Sequence, residues 1–315
     1  MRPAVKTDEH PLLNGDPNMS NPSSGLVMEI VTPSYAPDFV VCAELNSSIL
    51  RWTASDVVHT IIVPSQDTKR FSVLEGERTV IRDAAEFLPA SMLKVPSANM
   101  WINAGRPWPP IRGWIAQQII KLEATRRSSA KVVLLVDSDL VLLRKTSADI
   151  FLTDNVVTLF RRPDGIDETL PRHRLWVQNA QQLLGLPALA EYPLPDYICC
   201  PCAWSPVFVR EMLARIEKVN GCRWETAIGR QLHFSEMILY GVYAEQVLQL
   251  EQVPVTEDMR CVNYFDEIPL FGEKVHQFVN ECDSGKIAAM ISAKSATDLS
   301  VRREVVSRLE AMAEG

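Results

Sequence analysis

Residues 131–144 read Lys-Val-Val-Leu-Leu-Val-Asp-Ser-Asp-Leu-Val-Leu-Leu-Arg, and no other stretch constrains the fold as much. The unbroken apolar run 132–136 is too short to cross a bilayer and too continuous for a strand with one wet face. It predicts a strand buried on both faces, of the kind found inside a parallel sheet. Such a strand delivers the next few residues to the sheet's carboxyl edge, where open α/β folds bind ligands. Those residues are Asp137-Ser138-Asp139. Two carboxylates one residue apart at the end of a buried strand repel each other and lose solvation. A divalent cation between them and a ligand lowers both costs. The pair is read as a metal–diphosphate site; the alternative is a polar turn that only closes a core strand.

The sequence on either side agrees with a sheet of this kind. Residues 1–26 are rich in Pro, Asn, Ser and Asp, and a disordered leader is expected there, with Met28 as an alternative start. Residues 26–31 predict a first strand, ended by Thr32-Pro33-Ser34-Tyr35. Pro37 and Asp38 then open a helix to about Trp52, with Val41, Leu45 and Ile49 on its apolar side. Residues 57–63 predict a second strand and 79–81 a short third, and β-then-α steps of this kind signal a parallel, doubly wound sheet.

Residues 100–114 carry Trp101, Trp108 and Trp114 among prolines and glycines, which predicts a long loop forming a lid or pocket wall. A helix then runs to about Arg127, with Ile115, Ile119 and Leu122 apolar and Gln117, Gln118 and Lys121 on its polar faces. Beyond the paired aspartates, strands are expected over 140–143 and 155–160. Helices are expected over 170–184, 206–219, 233–244 and 299–312, the last structural and capped by Asp298. The run 164–168 reads as a solvated loop, and 192–204 as an aromatic, cysteine-bearing one.

Composition narrows the function. A net charge of −7 without a basic stripe argues against a nucleic-acid partner. No apolar run approaches the ~18 residues of a membrane span, and the basic-then-apolar pattern of a signal peptide is not seen. Seven cysteines are an odd number for a disulfide framework. Cys199-Cys200-Pro201-Cys202 has no second Cys/His pair at zinc spacing, so buried free thiols in a reducing cytoplasm are expected.

Three motifs together resemble the GT-A class of nucleotide-sugar glycosyltransferases. They are Gly113-Trp114-Ile115-Ala116-Gln117-Gln118-Ile119-Ile120-Lys121, Asp137-Ser138-Asp139 and Phe234-Ser235-Glu236 followed by Tyr240-Gly241. Enzymes that this pattern resembles include bacterial natural-product glycosyltransferases, one of lincosamide assembly among them. The resemblance covers roughly residues 28–280 and implies one mixed, mainly parallel Rossmann-like sheet flanked by helices. Residues 27–160 would form the nucleotide-sugar half and 161–290 the acceptor half, with 291–315 a C-terminal helix outside the pattern.

The resemblance also implies roles. Asp139 would bind Mg²⁺ or Mn²⁺ directly, while Asp137 would contact ribose or reach the metal through water, with Ser138 between them. Thr32, Pro33, Ser34 and Tyr35 would line the nucleotide, with Asp67 at the base edge. Arg112, Gln117 and Lys121 would reach donor phosphate or sugar. A late histidine serves several GT-A families as a further metal ligand, which makes His276 a candidate, with His233 behind it.

Glu236, between Phe234 and Met237, is expected in apolar surroundings as the carboxylate that takes the acceptor's proton. Each residue has a plainer alternative: a solvated helix lysine for Lys121, a helix start for Arg112, a capping glutamate for Glu236 and structural histidines. Trp101, Trp108, Trp114, Tyr197 and Trp204 are expected to flank a small acceptor, and a cationic one would gain from their aromatic faces. The implied partners are a nucleotide-sugar donor and that acceptor; homo-oligomer formation is left open. Two rivals stand beside this reading. A haloacid-dehalogenase-type phosphatase would use Asp137 as nucleophile, and a non-catalytic sugar-nucleotide binder would not need Glu236.

Overall fold

The apolar runs of the N-terminal half pair into one sheet. The computed structural model describes residues 26–314 apart from 96, 97, 99, 189 and 190, so the expected leader lies outside it but for Leu26. Strand β1 (Met28–Pro33), helix α1 (Phe39–Trp52), β2 (Val58–Val63) and β3 (Thr79–Asp83) keep the predicted order. The three strands pair in parallel. Next come β4 (Met92–Lys94), β5 (Met100–Asn103) and β6 (Arg106–Arg112), then α2 (Gly113–Arg127), β7 (Val132–Leu135) and β8 (Leu140–Leu142). The C-terminal half supplies α3 (Pro171–Leu184), β9 (Cys202–Trp204), α4 (Pro206–Asn220), α5 (Glu236–Tyr243), β10 (Cys261–Tyr264), α6 (Glu273–Asn280), β11 (Ala288–Ile291) and α7 (Leu299–Glu314).

The main sheet has the order β9-β7-β1-β2-β3, with β9 antiparallel and the rest parallel. The chain leaves β1 towards β2 and later returns to β7 on the other side. The carboxyl ends of β1 and β7 are therefore the topological switch point, where strand order reverses and a crevice opens. The α/β fold with a mainly parallel central sheet flanked by helices is as the sequence predicts. All four residues of β7 are buried. Val133 and Leu135 pack with α2, α4 and α5, while Val132 and Leu134 pack with α1, β8 and β11 on the opposite face. That period-two division is what an unbroken apolar run produces in a doubly covered sheet. No helix among the described residues is long and apolar enough to cross a membrane.

Three expectations change. Residues 100–112, read as a loop, belong to a three-stranded antiparallel meander, β4-β5-β6. Its Pro-rich last strand lies at the meander's edge, where a missing N–H costs little. Part of the supposed solvated run joins a strand, Arg162–Ile166, that pairs with Leu194–Asp196 and buries Ile166. Strand β8, expected over 140–143, carries the chain on from the paired aspartates into a second sheet, β10-β11-β8, whose other two strands the sequence did not suggest.

The aromatic loop is also reassigned. Tyr197 and Trp204 are buried in the main core. Tyr240 stacks on Trp204 with ring centroids 5.1 Å apart, and its hydroxyl accepts the Ser205 N–H at 3.0 Å. Beside it, a Cβ added to Gly241 would stand 2.0 Å from the Tyr197 ring. The Tyr240-Gly241 pair is thus a packing device that lets α5 lie on that ring. Gly241→Ala is expected to lower stability by about 1–3 kcal/mol through overpacking. A urea midpoint equal to that of the unmodified chain would contradict this account. Cys199 and Cys202 are buried free thiols, as expected.

Candidate active site

Three motifs far apart in sequence meet at the carboxyl edge of β7. Trp114, Gln118 and Lys121 recur at helical spacing along α2, a stripe that faces this edge. Lys121 is buried, and its Nζ lies 3.0 Å from Asp137 Oδ1 and 3.2 Å from Glu236 Oε1. Gln118 accepts the Glu236 backbone N–H at 2.8 Å and donates to the Trp114 carbonyl at 3.3 Å. Ser235 caps α5 by accepting the Ile238 N–H, which sets Glu236 in the helix's first turn. Burial opposes the charge on Lys121, but Asp137 and Glu236 outweigh it and hold the amine well above its ordinary range. Glu236 is buried, as predicted, yet its neighbour is an ammonium group and not the apolar surroundings expected from Phe234 and Met237.

Asp137 is half exposed, whereas Asp139 is turned inward. Asp139 Oδ2 accepts the Ala293 N–H at 2.7 Å. Burial, then repulsion from Asp137, push its carboxyl up to about 6 against that N–H and the Arg302 charge. Ser138 donates to Asp38 Oδ2 at 3.1 Å. Asp38 is itself raised, chiefly by burial, with Asp137 adding to the rise. The site therefore gathers Asp38, Asp137 and Asp139 from the exits of β1 and β7, with Glu236 joined to them through Lys121.

The remaining predicted residues take different places. Thr32 is fully buried and its hydroxyl pairs with His59 Nε2 at 2.9 Å, so it braces β1 against β2. Pro33 and Ser34 are also buried, and Tyr35 is exposed at the crevice. Asp67 Oδ2 accepts the Ala36 N–H at 2.9 Å, tying the exits of β1 and β2 together. Gln117 is part-buried on α2, while Arg112 is exposed just before that helix. His276 stands exposed on α6, and no described hydrogen bond or ion pair joins it to the aspartates. The His233 carbonyl accepts from Asn179.

Sequence reasoning missed Asp38, Gln118, Ala293 and Arg302. Periodicity could have found one of them: Gln118, not Gln117, shares a helix stripe with Trp114 and Lys121. Of the aromatic residues expected around an acceptor, Trp114 packs on Trp176 with centroids 5.6 Å apart and Trp108 is exposed. Tyr197 and Trp204 are core residues that, with Met237 and Tyr240, line a cavity.

The donor set suits a hard divalent cation. Among the described residues no group of three or more His, Cys, Asp or Glu side chains is arranged to hold a metal. Two carboxylates are nonetheless what Mg²⁺ and Mn²⁺ use when water and phosphate oxygens complete the shell. The carboxyl of Asp139 is raised by burial first and by repulsion from Asp137 second, and a bound cation would relieve the second of these.

No curated protein matches the chain. The profile of a family described as "Family of unknown function (DUF6492)" matches residues 23–309. Among solved structures, the apo WbbM bifunctional glycosyltransferase is similar at 12% identity and a TM-score of 0.46, over 86% of this chain and 46% of that one. This chain thus spans under half of the WbbM chain's length. Mouse xyloside xylosyltransferase 1 in its apo form gives 12% identity and a TM-score of 0.43, over 84% of this chain and 97% of that one. The galactosyltransferase LgtC, in complex with donor and acceptor sugar analogs, gives 13% and 0.42, over 90% and 96%.

Proposed function

We propose that this chain, which belongs to the DUF6492 family of unknown function, is a metal-dependent glycosyltransferase moving a sugar from a nucleotide diphosphate donor to a small-molecule acceptor. The observation that carries the reading is Lys121 held between Asp137 and Glu236 at the switch point of the sheet. It draws one residue from each of the three motifs that resemble GT-A enzymes into a single contact network.

Charge decides how a donor would bind. Asp38, Asp137, Asp139 and Glu236 outnumber Lys121 and Arg302, so a bare diphosphate would be repelled. Asp137 and Asp139 would hold Mg²⁺ or Mn²⁺ against the donor, with His276 offered as a further ligand. When bound, the cation acts as a Lewis acid towards the departing diphosphate. Lys121 sets a fixed positive charge beside Asp137 and orients Glu236. Glu236 takes the proton of the acceptor's O, N or S nucleophile as the new bond forms. Tyr35 would face the nucleotide, Asp67 and Ser34 would shape its loop, and Arg112 would reach phosphate or sugar. From the motif resemblance the acceptor would be of the natural-product kind, and the free thiols among the described residues fit a reducing, cytoplasmic setting.

A thermal-shift panel of UDP and GDP with Mg²⁺, Mn²⁺ or chelator tests this. A nucleotide at many times its Kd should add a few kcal/mol of stability, and only when metal is present. Orthophosphate release from phosphomonoesters, without metal-dependent nucleotide binding, would favour the phosphatase rival. Nucleotide binding and function untouched by Glu236→Gln would favour the non-catalytic binder.

A further inference from the structure

The C-terminal segment, which falls outside the motif pattern, closes around Asp139. Ala293 N–H reaches its carboxylate at 2.7 Å, and Ile291 N–H reaches its main-chain carbonyl at 3.4 Å. Arg302, in the first turn of α7, donates from one Nη to the same Asp139 carbonyl and from the other to the Ile291 carbonyl at 2.5 Å. One planar fork therefore ties the aspartate loop to the end of β11. Only 4% of Arg302 is exposed, and its Nε has no partner.

A buried guanidinium is costly, and here it is spent on carbonyl oxygens and not on a touching carboxylate. Docking of α7 has an apolar basis of its own. Val305 and Leu309 of that helix are buried with Tyr264, Phe278 and Ile291 in a separate apolar cluster. What Arg302 adds is geometry at Asp139, together with positive charge felt by Asp139, Glu44 and Asp38.

We infer that Arg302 is a positioning residue for Asp139: it fixes the loop so that this carboxylate faces a divalent cation, and makes α7 part of the site. The inference rests on the metal–nucleotide reading above. Groups that orient metal-binding side chains typically change affinity 10–100-fold when removed. Methionine should replace the buried charge without unfolding the chain, since apolar side chains of similar length are often tolerated there.

The test is Mn²⁺ titration followed by the EPR signal of the free ion, first alone and then with UDP, on the full chain. Arg302→Met should keep the far-UV spectrum and raise the Mn²⁺ Kd tenfold or more, with Arg302→Lys between the two. Leu309→Ala should lower Tm and leave the Kd unchanged, which separates helix docking from site geometry. If the unmodified chain binds Mn²⁺ and folded Arg302→Met binds it equally well, the positioning role is wrong and the function above stands. If Arg302→Met does not fold, Arg302→Lys decides on the same readout. If the unmodified chain takes up no Mn²⁺ with or without UDP, the functional reading fails and this role goes with it.

Discussion

Lys121→Met is expected to lower the stability of the fold by about 3–5 kcal/mol and to abolish metal-dependent nucleotide binding. The two ion pairs of Lys121 do not contribute equally. The Asp137 side chain is 51% exposed, so that pair is screened and worth little. Glu236 and Lys121 are exposed by only 6% and 7%. Removing the ammonium leaves a carboxylate buried with no countercharge, and breaking a buried pair from one side costs about 3–5 kcal/mol. The double variant Lys121→Met/Glu236→Gln should recover much of that loss, because no charge is then stranded. Asp137→Asn should barely move the urea midpoint. A cost below about 1 kcal/mol for Lys121→Met, or a double variant no better than the single, would mean that the pair is not formed.

Legibility in the sequence depends on which residues interact locally. Strand β7, within the apolar run 132–136, and the carboxylates after it are legible because burial on both faces demands an unbroken apolar run, which only a few folds accommodate. The order β1, α1, β2, β3 is legible from apolar runs and from the Pro and Asp residues that separate them. The meander was not, since its last strand carries the prolines that ordinarily mark a loop. Strands β10 and β11 are four residues each, too short for a period to distinguish them from helix or turn. Lys121 was placed on a polar face; its burial depends on Glu236, which lies on another helix. Arg302 left no local trace, because its contact with Asp139 spans 163 residues and its helix reads as an ordinary charged surface helix. Stripes and strand ends are encoded locally, whereas the partners of buried charges are set by topology.

Asp139→Asn should separate stability from chemistry. Its folded carboxyl lies at about 6 against an ordinary 3.8, so between those values the unfolded chain ionises while the folded one keeps its proton. The folded state then binds more protons, and metal-free stability falls as pH rises from about 4 to about 6, with the loss complete above that window. Asparagine has no charge to lose and keeps an oxygen for the Ala293 N–H. The variant should therefore be more stable than the unmodified chain at pH 7, by about 1–3 kcal/mol, and equal to it near pH 4. The same exchange removes the carboxylate that would bind the cation. Losing several kcal/mol of charge stabilisation corresponds to a fall of about 10³-fold or more in sugar transfer. Urea unfolding across that pH range, beside initial rates with Mn²⁺, reads both quantities. A variant more stable yet inactive fits an aspartate held for metal at the expense of the fold. One that is less stable at pH 7 and still transfers sugar would make Asp139 a structural turn residue and leave the site without its anchor.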